Sequence, residues 1–156
     1  MQKLFLNLCE LFAFLGFMVA ANSTHTAVAQ SEKGGAWALL NATMFRTRFH
    51  EELNDFCLLP EFDANIRAQE GKELTLKGYY LAFELPEHRI IISKYPYASC
   101  FFCGGAGPES VVEVNLKSKP PALRTDALIT VKGLLKLNER DIDRLTFILE
   151  KAEIIR

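Results

Sequence analysis

The chain has 156 residues, 49% of them hydrophobic and 24% charged. That suits one domain with a short appendage and is too apolar for a disordered chain. Eighteen basic and 19 acidic residues leave a net charge of −1, without the basic surplus that nucleic-acid binders use against phosphates.

In chain order, the first element is a leader. Lys3 supplies a weakly positive start, and Leu11–Ala21 (LFAFLGFMVAA) is a continuous apolar run. A polar stretch then leads to Ala27-Val28-Ala29, an A-x-A site for cleavage between Ala29 and Gln30. This pattern predicts a signal peptide over 1–29 and export to the periplasm or beyond. The apolar run is well short of the ~20 residues that cross a bilayer, so no membrane span is expected after cleavage. Cleavage removes Lys3 and Glu10 together and leaves 17 basic and 18 acidic residues. Of the four cysteines, Cys9 leaves with the leader and Cys57, Cys100 and Cys103 stay.

The mature chain opens with a flexible lead over 30–36 and one domain over 37–156. Thr43, Phe45, Thr47 and Phe49 alternate with Met44, Arg46 and Arg48, predicting a first strand or ribbon. Glu61–Glu70 is the helical candidate: Phe62 and Ile66 share a face, Pro60 precedes them and Gly71 follows. Five strands follow, over 72–85, 89–93, 111–116, 129–137 and 145–155. In the first, the apolar phase slips from Leu74 and Leu76 to Tyr79 and Leu81 across Gly78, predicting a β-bulge there. LTLKGYYL and ITVKGLLKL look alike; two curved strands obeying the same rules explain this better than an internal repeat. Bent strands with central glycines and a single short helix predict a mainly β, small five- to six-stranded barrel.

Four motifs carry a resemblance: PEF-x-x-x-I at 60–66, GK-x-L-x-L-x-GYY at 71–80, SKYP-x-x-x-CFFCGGAGPES at 93–110 and V-x-G-x-L-x-LN at 131–138. Over 72–153 the chain resembles OB-like barrels. More narrowly, it is similar to a family of secreted bacterial envelope proteins, a domain of unknown function. The resemblance implies an envelope location and an OB-like fold, and no particular activity.

The stretch richest in chemistry is Cys100-Phe101-Phe102-Cys103-Gly104-Gly105-Ala106-Gly107-Pro108. Three readings stay open. C-x-x-C-G is half of a zinc knuckle, and a closed zinc or copper site would need further ligands, with Cys57 the natural third and His88 or Glu109 a fourth. A catalytic dithiol would need a low-pKa thiolate, usually at a helix start, whereas glycines, a proline and a strand follow here. The favoured reading is a Cys100–Cys103 disulfide, or buried thiols, shaping a long turn, with one or both of the Phe101 and Phe102 rings burying it on the barrel end. The turn, with Phe101, Phe102, Gly104, Gly105 and Pro108, would then form a binding loop for an envelope protein.

Other groups offer less. His50 and His88 each read as surface residues, and Asp141 with Asp143 as a solvated hairpin rather than an acid–base pair. No nucleophile elbow or phosphate-cradling loop is present in the sequence. The expectation is a non-enzymatic, exported OB-like module that binds a protein partner and no nucleic acid. A metal-handling protein is the first alternative and a thiol–disulfide oxidoreductase the second.

Overall fold

The computed structural model describes residues 35–155. The expected signal peptide, its Ala29/Gln30 cleavage site and most of the 30–36 lead lie outside them. Seven strands and two short helices follow in the order α1 (Gly35–Asn41), β1 (Met44–His50), β2 (Asp55–Glu61), α2 (Ala64–Arg67), β3 (Glu73–Leu81), β4 (Arg89–Ser93), β5 (Val111–Leu116), β6 (Leu128–Leu137) and β7 (Phe147–Ile155).

Strands β3–β7 close into a barrel in the order β3-β4-β5-β7-β6. Pairing is parallel between β5 and β7 and antiparallel elsewhere. Counted within the barrel this is 1-2-3-5-4, closed from the fourth strand to the first, the Greek-key order of an OB-like barrel. The expectation of a mainly β, five- to six-stranded barrel therefore holds, with five strands. The two look-alike segments are neighbours: Leu74 pairs with Gly133 and Gly78 with Ile129.

Alternation along β4 and β5 explains how the barrel is filled. Ile90, Ile92, Val112 and Val114 point into the main core with Leu76, Val131, Leu135, Phe147 and Leu149. Ile91 and Val111, out of phase with them, point to the outer face and join Leu81 and Cys100 in a second cluster. Leu40 of α1, with Phe62 and Ile66 at α2, completes the main core. Asp63 caps α2 by accepting from the Ile66 N–H at 2.9 Å.

Three local expectations are corrected. The helix predicted over 61–70 is only Ala64–Arg67, because Glu61 is still paired in β2 and the Asp63 cap fixes the start. Gly35–Asn41, where the predicted lead ends and the domain begins, is α1, an element that the sequence reading does not contain. No bulge occurs at Gly78, whose pairing with β6 runs unbroken from Glu73 to Tyr79. Close approach is what requires glycine there: a Cβ would stand 2.6 Å from the Ser93 carbonyl oxygen and 3.1 Å from Trp37 Cζ2. The Trp37 indole is fixed beside it by donating to the Lys77 carbonyl at 2.7 Å. The barrel's bulge lies instead on β7, where Lys151 has φ +50° and both neighbouring strands lose register.

The barrel proper starts at Glu73. Strands β1 and β2 form a separate two-stranded sheet outside it, so the predicted first strand is real but does not belong to the barrel.

Candidate functional site

The outer face of β3–β4–β5 is the surface on which OB barrels take oligonucleotides and oligosaccharides. Here the chain's own loops cover it. Cys100 is fully buried against Leu81, Ile91 and Val111, and Phe83, Leu85, Phe101 and Leu145 pack over them. Farther along the same face Glu113, 3% exposed, accepts from Arg144 Nε at 2.8 and 2.9 Å and pairs with Arg89 at 3.1 Å. Arg144 comes from the β6–β7 loop, so this ion cluster pins that loop to the barrel wall. The guanidinium of Arg144 is held above its ordinary range chiefly by its hydrogen bonds to Glu113.

The covering β4–β5 loop is built from tight turns. One 3-10 turn spans Tyr97–Ser99, a second Phe101–Cys103 and a third Pro108–Ser110. Gly104 closes the second turn with φ +74°, a conformation glycine adopts freely. Gly105 donates to the Cys100 carbonyl at 3.1 Å, and a Cβ there would meet the Ser99 carbonyl oxygen at 2.7 Å. The glycines after the second cysteine therefore let the backbone fold onto itself. Asp126 Oδ1 accepts from the Tyr97 N–H at 2.7 Å, and Ser110 donates to the Gly107 carbonyl at 2.6 Å, tying down both ends.

The loop presents an aromatic surface. Phe102 meets Phe83 edge-on at 4.8 Å between centroids and Phe101 at 5.3 Å, and Tyr97 lies 6.2 Å from Phe83. Tyr97 is 41% and Phe102 42% exposed, and Tyr95 nearby is also exposed. Of the two rings, Phe101 is half-buried against the barrel and Phe102 stays exposed, within the expectation that one or both would bury the loop.

The thiols meet the favoured reading only in part: there is no bridge, and only Cys100 is a buried thiol. Cys100 and Cys103 are free and beyond disulfide distance, so the turn is shaped by backbone hydrogen bonds and glycines rather than a bridge. Cys103 is exposed, and partial desolvation together with the adjacent Cys100 thiol pushes it above the ordinary thiol range. A dithiol nucleophile needs the opposite shift. The proposed zinc or copper ligands are not gathered either: Cys57 sits on β2 and His88 in the exposed β3–β4 loop. Among the described residues no three His, Cys, Asp or Glu side chains come together to hold a metal ion.

Two residues were misplaced by sequence reasoning. His50 is 8% exposed, with Nε2 3.1 Å from the Arg140 carbonyl oxygen. Asn138, read only as the end of a strand motif, organises the β6–β7 loop. Its Nδ2 donates to the carbonyls of Asp141, Arg144 and Leu145, while its Oδ1 accepts from the Arg140 and Asp141 N–H groups. Asp141 and Asp143 lie exposed in that loop, where Asp141 accepts from the Asp143 N–H. Between this loop, β2 and the Cys100–Pro108 turn lies a cleft of about 230 Å³, lined by Phe45, Leu58, Pro60, Phe101, Ile142 and Leu145 among others.

Among the described residues no helix is long and apolar enough to cross a membrane. No protein-family model matches the chain, and no curated protein or solved structure matches it.

Proposed function

We propose that the protein is a non-enzymatic binding module of the bacterial envelope, exported by its leader, whose Cys100–Pro108 loop is the docking surface for a protein partner. The observation that carries this reading is the Phe83–Tyr97–Phe102 cluster, exposed at Tyr97 and Phe102 on a loop tied down at both ends. Aromatic side chains held in this way offer large contact area at little entropic cost. Of the two thiols, buried Cys100 anchors the turn by packing, and exposed Cys103 sits at the turn's exit.

The envelope location rests on the apolar run Leu11–Ala21 and the Ala27-Val28-Ala29 site. Mature protein from the native compartment should begin at or within a residue or two of Gln30; an intact Met1 on the soluble envelope form would contradict export.

The docking role is tested by placing a benzophenone amino acid at Phe102, with exposed Lys136 on β6 as the control position. Irradiation in intact cells should give a discrete protein adduct from position 102 that Tyr97→Ala diminishes. Identical adducts from both positions, or none from 102, would reject the loop as the docking surface.

A further inference from the structure

The β1–β2 hairpin has two unequal edges. Among the described residues it is a two-stranded sheet with no further strand on either side, and two strands alone are marginally stable in water. Pro60, opposite Phe45, has no N–H to give, and the Phe56 N–H, opposite Phe49, donates to its neighbour Asp55 Oδ1 at 2.7 Å. Positions 56, 58 and 60 therefore point outward on β2, and Pro60 and Asp55 blunt that edge in the way protected edge strands are blunted. Their partners Phe45, Thr47 and Phe49 point outward on β1, with no proline and no capping side chain. Among the described residues one edge is blunted and the other is open to further pairing.

The two faces beside the open edge differ in chemistry. Phe45, Phe49, Phe56 and Leu58 share one face, where Phe49 is 50%, Phe56 67% and Leu58 54% exposed. Arg46 and Arg48 lie on the other, 60% and 54% exposed along their side chains, and both turn to the single carboxylate of Glu61. Two guanidiniums sharing one carboxylate leave local positive charge beside the middle of the edge, while Glu51 and Glu52 lie past its end in the turn.

We propose that the outer edge of β1 receives an extended segment of a partner protein, with apolar and acidic residues in alternation, as a third strand. Its backbone would pair with the outward N–H and C=O groups of Phe45, Thr47 and Phe49. Its apolar side chains would lie beside Phe45 and Phe49, and its carboxylates beside Arg46 and Arg48, the alternation that strand addition reads. A second copy of this chain fits less well. Antiparallel pairing about Thr47 would set Arg46 opposite a second Arg48, and like charges directly opposite are destabilising.

The test uses two labelled seven-residue peptides, one alternating Val with Glu and one alternating Val with Lys. Fluorescence anisotropy with the mature protein should show saturable binding of the Val/Glu peptide, about tenfold or more tighter than the Val/Lys peptide. Bound peptide should slow amide exchange at Phe45, Thr47 and Phe49. Thr47→Pro removes an outward N–H that β2 does not use and should abolish binding. Should that variant not fold, the exposed double change Arg46→Glu with Arg48→Glu should reverse the preference between peptides. Binding of neither peptide, equal binding of both, or an unchanged preference in the double variant would overturn the proposal. So would a dimer of the wild-type chain in ultracentrifugation that Thr47→Pro dissolves, which would put a second copy at this edge.

Discussion

Single positions in this protein act mainly through the space around the backbone. Gly105→Ala would push a methyl group to 2.7 Å from the Ser99 carbonyl oxygen. The turn must open to admit it, at a cost of about 1–3 kcal/mol in denaturant unfolding. Gly78→Val meets two obstacles, the Ser93 carbonyl and the Trp37 ring, and should cost a similar amount; an unchanged midpoint would mean the Trp37 seat is loose. The thiols make a chemical prediction. Because Cys103 is raised above the ordinary thiol range, it stays protonated near neutral pH. Iodoacetamide should therefore alkylate it more slowly than an unstructured cysteine peptide at pH 8, and buried Cys100 more slowly still. Faster alkylation at Cys103 would restore the dithiol reading. The C-x-x-C spacing was plain in the sequence, but spacing alone does not say whether two sulfurs meet. That depends on the turn between them, where the 3-10 geometry of Phe101–Cys103 keeps them beyond bonding distance.

At the scale of elements, legibility followed side-chain alternation. β5 matched its predicted bounds because Val112, Val114 and Leu116 alternate with Glu113 and Asn115, and β4 matched because the apolar run Ile90–Ile92 is bounded sharply by loops. β2 was missed: Asp55–Glu61 carries Pro60 and the unalternating Cys57-Leu58-Leu59, and only pairing with β1 makes it a strand. α1 was missed because GAWALLN is seven residues without a charged first or last turn, and packing of Leu40 into the core decides its conformation. The hairpin so formed is expected to be sensitive to acid. Burial alone would raise the Glu61 carboxyl, but hydrogen bonds from Arg48 and Arg46 and their charges hold it below the ordinary carboxylate range. A depressed folded-state pKa stabilises above the unfolded value, and that contribution is lost as pH falls through the folded value. Amide protection in β1 and β2 should therefore fall before the barrel's on acidification, and Glu61→Gln should flatten that difference. On the barrel wall, Glu113→Ala strands two arginines that share one buried carboxylate. A loss of about 3 kcal/mol is expected, with the β6–β7 loop released; a change below about 1 kcal/mol would show that water replaces the carboxylate there.

Across the whole molecule, one barrel carries two differently prepared surfaces. The outer face familiar from OB barrels is filled from within by Cys100, Phe101 and the Arg144 loop, and the exposed aromatic turn that results lies on top of it. The hairpin projects beside this region with one open edge. The fold class was readable because five barrel strands announce themselves by period and glycine placement. The covering of the outer face was not readable, because it joins residues from loops far apart in the chain: Phe83, Phe101 and Leu145 reach one cluster only after the barrel closes. The central claim is that the Cys100–Pro108 turn is a preformed docking surface rather than a loop that orders on contact. Amide hydrogen exchange of the isolated mature protein tests this most directly. The Cys103, Gly104 and Gly105 N–H groups donate to the Cys100, Phe101 and Cys100 carbonyls, so they should exchange at least about tenfold more slowly than in an unstructured peptide before any partner is added. Exchange of all three at the free-peptide rate would contradict the account.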